Sequence, residues 1–397
     1  MRNKENKINK VFLTIVFAIL FARLSFSQEM GIQLHPKISL RGELETEFID
    51  SQKDSDFVTS TATTTSDDNS IPRFQVDRLM LKPKITFSES LYLEGELEFL
   101  GDGTHTLLKE GYGVITFPSN IFLKVGLDDR FFINPEERKT EVYPLNGTAF
   151  WQDEDVGMVV GGDHALSKKT EWYWRTSLTN GLALREQGVG KNSVYFMLHD
   201  NREINDLTNK EKEYGMGVGL KSVAKKWDVM MFGVQSKLRH DMTQTQTATD
   251  IDFLKEVITG YTSDNRDNWF LGGQGSFTLG DISLFSQYIY SRDGEVTREG
   301  FYMEPSFQLI TLSGTYLNSI ELLYRYNVLD VHAEGLTDNI SSSSFTWDRT
   351  THSFAMNIQL TKYALLKNEY HWNLENTGGT PNEVANNEFI SQLEIRF

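Results

Sequence analysis

Charged side chains recur at every second position of this sequence, a spacing suited to sorting ions rather than to making or breaking bonds. Arg41, Glu43, Glu45 and Glu47 share one parity, Lys82 and Lys84 form a short basic series, and Glu94, Glu96 and Glu98 an acidic one. Arg175 and Arg325 stand in later segments of the same pattern. Residues two apart project from one face of an extended strand, so each series makes a charged wall. Walls of opposite sign across water create a transverse field that sorts solutes by charge. Simple pairing between neighbouring strands is the other reading of the same residues, and the sequence leaves both open.

Covalent chemistry finds less support. Gly190-Lys191 lacks the frame of a phosphate loop, because Arg185 replaces the first glycine and Asn192 the Ser/Thr. Gly215, Gly217 and Gly219 alternate with Tyr214, Met216, Val218 and Leu220, which gives a smooth strand face and no helix for a dinucleotide. The eight His are scattered without metal spacing, and Asp264 to Asn268 reads as a surface turn rather than a Ca²⁺ loop. No nucleophile elbow surrounds any Ser. The absence of cysteine excludes thiol chemistry and disulfides. The expectation is no enzyme, no catalytic residue, no metal and no cofactor.

The charged walls need strands to carry them. The final stretch, Asn387 to Phe397, sets Phe389, Ser391, Leu393, Ile395 and Phe397 against Ile390, Gln392, Glu394 and Arg396. That is a strand with one apolar and one mostly polar face. The same alternation predicts strands near 38–48, 74–87, 91–99, 109–117, 121–127, 154–163, 171–178, 213–222, 227–236, 269–279, 282–290, 300–311, 319–329, 351–360, 364–375 and 387–397. A parity slip between Val76 and Leu79 predicts a bulge near Asp77–Arg78. Pro305 requires an edge or a bulge.

Short connections follow Phe87, Phe117, Asp163, Ser222, Leu279, Thr311 and Leu360. Long ones follow Ile49, Phe99, Leu127, Leu178, Ser236, Tyr290, Leu329 and Glu375. An even number of strands with short turns on one side and long loops on the other is the layout of a transmembrane antiparallel β-barrel. Sixteen strands enclose water, whereas eight are filled by side chains.

Composition and targeting agree with this. Arg2, Lys4, Lys7 and Lys10 precede the apolar run Val11 to Ala22 and the small residues Ser25 and Ser27, so residues 1–27 read as a signal peptide and 28–397 as the barrel. Five of the 39 Lys/Arg and one of the 55 Asp/Glu lie in the leader, leaving 34 basic and 54 acidic groups, a net of −20. Such a balance excludes nucleic acid as a partner. No other run approaches the roughly 20 apolar residues of a membrane helix. Hydrophobic residues are only 39 % of the chain while aromatics reach 12 %, which suits a wet inner face and outer aromatic girdles. Trp172, Trp174, Tyr288, Tyr290 and Phe397 are the girdle candidates.

Ending on an amphipathic strand with a terminal Phe resembles the bacterial outer-membrane barrels. There the last strand closes the barrel and its Phe is read by the barrel-insertion machinery; here Phe389, Leu393, Ile395 and Phe397 match it. Three further stretches resemble the phosphate-selective porin O and P family. They are Arg73 to Phe99, Phe117-Pro118-Ser119-Asn120-Ile121-Phe122-Leu123-Lys124-Val125-Gly126, and Gly300 to Phe307 running on to Glu321-Leu322-Leu323-Tyr324-Arg325-Tyr326. The resemblance implies a homotrimeric porin of the outer membrane, bedded in lipid and lipopolysaccharide and passing small hydrophilic solutes or phosphate-like anions. It also implies a third long loop, here residues 128–153, folded inward with Arg130, Glu136, Glu137, Arg138 and Lys139 at the constriction. The sequence departs from the family at Asp129, where Lys is frequent. That acid and the net charge point to weak or cation-leaning selectivity. Two rival expectations are a barrel whose loops at 50–71, 179–212 and 237–268 form a surface binding or adhesion module, and an outer-membrane hydrolase with a Ser–His pair on the outer wall.

Overall fold

The computed structural model describes residues 36–52, 72–101, 106–133, 139–188, 196–201, 211–239, 249–258, 260–311, 317–333, 348–375 and 386–397. Residues 1–27, the expected signal peptide, most of the 50–71 loop, Gly190-Lys191 and Glu136, Glu137 and Arg138 lie outside these residues.

The strands are β1 (Lys37–Ser51), β2 (Arg73–Ser88), β3 (Leu91–Leu100), β4 (Thr106–Thr116), β5 (Ile121–Asp128), β6 (Asp155–Ala165), β7 (Thr170–Thr179), β8 (Ala183–Gly188) and β9 (Phe196–Asn201). They continue with β10 (Glu213–Ser222), β11 (Trp227–Lys237), β12 (Asp267–Leu279), β13 (Ile282–Asp293), β14 (Val296–Thr311), β15 (Ser319–Ala333), β16 (Arg349–Thr361), β17 (Ala364–Glu375) and β18 (Glu388–Arg396). All except β8 and β9 form one closed antiparallel barrel in which β1 pairs with both β2 and β18. Sixteen strands thus close the barrel, one at each segment where alternation predicts it. No helix among the described residues is long and apolar enough to cross a membrane.

The bulge falls at Asp77, because Glu45 opposes Arg78 and Thr46 opposes Val76. The two prolines within strands, Pro83 and Pro305, sit where one ladder lapses. Pro305 opposes Leu284 on β13, while the β14–β15 ladder passes from Met303 to Ser306. Pro83 opposes Leu40 on β1, and the β2–β3 ladder skips it. A residue without an N–H costs nothing where no acceptor faces it.

Three connections differ from their reading as plain loops. The long connection after Tyr290 does not exist: β13 and β14 run on and meet at Gly294-Glu295, with Gly294 at φ 68°. The 179–212 segment contains the β8–β9 hairpin. The 237–268 segment contains helix α1 (Asp250–Val257), whose capping box pairs Thr249 with Asp252.

Candidate functional site

The chain between β5 and β6 crosses the barrel interior and is fastened to the opposite wall. At its start the buried Arg130 donates to the Phe150 carbonyl (2.6 Å) and pairs with Asp200 on β9 (3.0 Å) and Glu213 on β10 (2.8 Å). Phe132 stacks on Phe232 at 4.2 Å between centroids and meets Phe270 edge-on. Farther along, the Lys139 ammonium donates to Ser306 Oγ (2.8 Å) and pairs with Glu321. Arg325 donates to the Val142 carbonyl (2.8 Å) and to the Thr140 hydroxyl, and its charge is matched by Glu304. Glu369 accepts the Glu141 N–H at 2.6 Å. On the return, a π-helical turn at Gly147–Trp151 follows Asn146, whose amide donates to Gln287 and to the Gly300 carbonyl. Gly300 is a packing requirement, because a Cβ there would overlap the Asn146 side chain.

Two further loops pack onto this crossing. Leu184 and Leu198 of the β8–β9 hairpin and Ile251 and Leu254 of α1 join Phe132, Phe150 and Phe270 in one buried cluster inside the barrel. Arg298 ties it to the wall through Asp293 (2.7 Å), Asp200 (3.0 Å) and the Ala149 carbonyl (2.7 Å). Asp200 is therefore shared by two buried guanidinium groups, and pairing of this kind is what permits buried charge. Burial raises the Asp250 carboxyl above its usual range, opposed by Arg239 beside it. The glycine ladder of β10 has a matching role. Cβ atoms at Gly215 and Gly217 would overlap Phe131, and one at Gly219 would overlap Tyr173.

Among the described residues a cavity of about 940 Å³ remains, bordered by β1–β5, by β12–β15 and by the β17–β18 end of the wall. Arg41, Glu43, Glu45, Lys82, Glu94 and Glu96 line it, as do Arg130 and Arg325 from its margin. Lys84 reaches it through Glu94, with which it pairs at 2.9 Å. Arg175 lies elsewhere, on a separate cavity of about 140 Å³. The two charged walls do not face each other across water. They pair side by side, Lys82 with Glu96 (2.7 Å), Arg41 with Glu94 (2.7 Å) and Arg78 with Glu45 (2.6 Å). Lys124 pairs with Asp128 (2.6 Å) and Lys109 with Glu154 (3.3 Å).

Glu110 and Asp129 differ from the rest. Among the described residues no Lys or Arg forms an ion pair with either, yet both line the cavity. Burial first, then Glu110, Glu154 and Asp128, hold the Asp129 carboxyl well above the ordinary carboxylate range. Sequence reasoning missed Arg78, Lys109, Glu110, Glu394 and Arg396 on this wall. Parity identifies the last three, whereas the bulge at Asp77 hides Arg78. Glu43, Glu45 and Glu394 approach closely enough to suggest a cation. Arg396, Arg78 and Lys367 already neutralise them, so the donor set does not require an ion.

A Ser–His–Glu array is present, on the inner wall. Ser353 Oγ lies 2.8 Å from His371 Nδ1, and His371 Nε2 lies 3.1 Å from Glu369. All three are at most 1 % exposed. The array holds the carboxylate that accepts the Glu141 N–H, and no substrate reaches its hydroxyl. At the C terminus Phe389, Leu393 and Ile395 take the outer parity of β18, opposite Gln392 and Glu394. Phe397 exchanges two backbone hydrogen bonds of 2.9 Å with Gly42, and its ring covers the space a Cβ on Gly42 would need.

No protein-family model and no curated protein matches the chain. Solved structures do. The chain is similar to the outer membrane channel DcaP of Acinetobacter baumannii, with a TM-score of 0.56 and 12 % identity over 91 % of this chain and 97 % of that one. It is similar also to OmpF of Salmonella typhi (TM-score 0.55, 10 % identity, 91 % and 98 % covered). In vitro folded OmpT, an outer membrane protein of Vibrio cholerae, gives 0.50 and 10 % over 91 % and 98 %. At such identities the likeness is one of fold: the chain has the closed 16-strand barrel of outer-membrane porins.

Proposed function

We propose that the protein is a bacterial outer-membrane porin through which small hydrophilic solutes and ions diffuse passively, with a weak preference for cations. The observation that carries this reading is the cavity of about 940 Å³ beside the fastened crossing, walled by charges that are largely paired. Paired walls make a wet, nearly neutral passage whose charge selectivity falls to the remainder, and that remainder is Glu110, joined by Asp129 only at pH values above its raised pKa. Phosphate selectivity, which the resemblance to the O and P family implies, needs cations in excess, and here each lining Lys is matched by a carboxylate. Export by residues 1–27, insertion through the Phe397 strand, surrounding lipid and lipopolysaccharide, and a homotrimer complete the proposal.

The constriction is formed by the described parts of the crossing, 129–133 and 139–154, and Arg130, Lys139 and Arg325 act in it as fasteners more than as exposed charges. Planar bilayers test the reading. Purified protein should give stepwise conductance increments, and a KCl gradient should give a reversal potential displaced modestly toward the cation. Absence of conductance refutes the channel, and a strong anion preference refutes the role given to the two acids.

A further inference from the structure

We infer that the smaller cavity is a binding subsite for small zwitterions with an apolar body, the class to which α-amino acids belong. The proposal rests on the channel reading, since a subsite there meets solutes only if they traverse the lumen. The cavity lies under the root of the crossing, between Phe131 and the ends of β7 and β10–β13, and its volume is about 140 Å³. That is well below the roughly 300–1,000 Å³ of a drug-sized pocket, so the ligand is small.

Both charge signs are built into its wall. Lys221 and Asp228 stand directly opposite each other on β10 and β11, which places their Cβ atoms about 5 Å apart. The Tyr173 hydroxyl donates to Asp228 Oδ1 and fixes that carboxylate, leaving its second oxygen as acceptor. Arg175 lies beside Lys221, and both also pair with Asp163, at 2.7 and 2.9 Å; Glu171 lies 3.7 Å from Lys221. Neither sign is in large excess, so a simple anion or cation meets repulsion from part of the wall. A carboxylate and an ammonium joined by one carbon match neighbouring side chains on adjacent strands. Gln274 adds donors, because its carbonyl already accepts from Gln287 and its NH₂ is left for the cavity. The opposite side is apolar: Phe131 is seated on Gly215 and Gly217, Met230 is buried, and Phe285 is stacked on Tyr302 at 5.4 Å.

The test is titration of the full-length protein in detergent micelles with L-leucine, followed by calorimetry and ligand-observed NMR. Saturable binding is expected. Asp228→Asn and Lys221→Gln should each weaken it by roughly ten- to a hundred-fold, the loss of one charge-assisted hydrogen bond. Isoamylamine and 4-methylpentanoate, which keep the body and one charge each, should bind more weakly than leucine. Gel mobility with and without heating confirms the folded barrel, and the partly exposed Lys221 supplies a variant that spares the buried Tyr173. Absent saturation by folded protein, unchanged affinity in the Lys221→Gln variant, or equal binding of the two analogues overturns the subsite. Bilayer conductance separates the two readings: conduction without leucine binding sinks only the subsite, and binding without conduction sinks only the channel.

Discussion

Replacing Asp200 with Asn should loosen the interior plug while leaving the barrel wall closed. Asp200 accepts from Arg130 and from Arg298, each at 3.0 Å, and both guanidinium groups are at most 6 % exposed. Each keeps one other carboxylate, Glu213 or Asp293, and one backbone carbonyl. The cost is therefore not that of two orphaned charges. Two charge-assisted bonds are worth about 1.5–3 kcal/mol each. The Asn carbonyl retains part of one and its NH₂ opposes the other, so about 3 kcal/mol is lost. Breaking a buried pair typically costs about 3–5 kcal/mol, which places this at the lower end.

The loss falls on contacts among the crossing, the β8–β9 hairpin and the wall, none of which is a barrel ladder. Local opening is cheapened more than global unfolding. Single-channel recordings of D200N should show greater open-state noise or a larger mean conductance, and proteolysis should cut the interior loops sooner. A variant with the conductance, noise and protease resistance of the parent would refute the view that this carboxylate holds the plug.

Four further outcomes are expected. Gly217→Ala places a methyl 2.8 Å from the Phe131 ring and closer still to the Met230 Cε and should cost about 1–3 kcal/mol by overpacking, measured as a lower urea midpoint; an unchanged midpoint would mean that Phe131 and Met230 are not seated there. Asp129 has a raised folded pKa, so its contribution is full below its unfolded value of about 3.9 and is lost as pH rises through the folded value. The parent should thus lose stability relative to D129N between acid and alkaline pH, and parallel curves would contradict this. Glu110→Gln removes a pore carboxylate without an ion pair and should shift the reversal potential in a KCl gradient toward zero. Phe397→Ala uncovers Gly42 and should reduce the yield of heat-modifiable barrel in a refolding assay more than it changes the stability of barrel already formed.

The barrel wall was legible because period-two patterning reports directly on a sheet with one wet face and one greasy face. Even the bulge at Asp77 showed as a slip of parity. Strands expected at 282–290 and 300–311 stop short of the hairpin, since Arg292, Asp293, Arg298 and Glu299 look like loop residues; Asp293 and Arg298 are in fact buried against the plug, while Arg292 and Glu299 take the outer parity. The interior was less legible. Arg130, Asp200, Asp293 and Arg298 are separated by up to 168 positions in sequence and meet only because the crossing and the β8–β9 hairpin fold inward onto β13 and β14. Nothing local marks Asp200 as the shared anion. The glycines of β10 read as a smooth face, and only the rings of Phe131 and Tyr173 explain the smoothness. For Lys82, Lys84, Glu94 and Glu96 the sequence allowed both a field and a pairing, and adjacency on β2 and β3 decides for pairing.

The join between first and last strands has a bearing on how the wall stays shut. Glu43 and Glu45 on one side and Glu394 and Arg396 on the other all border the aqueous bore. Parting that join sideways would turn four ionic groups toward hydrocarbon, where each is costly. The surrounding bilayer thereby acts as a latch, penalising unzipping where the two ends of the chain meet.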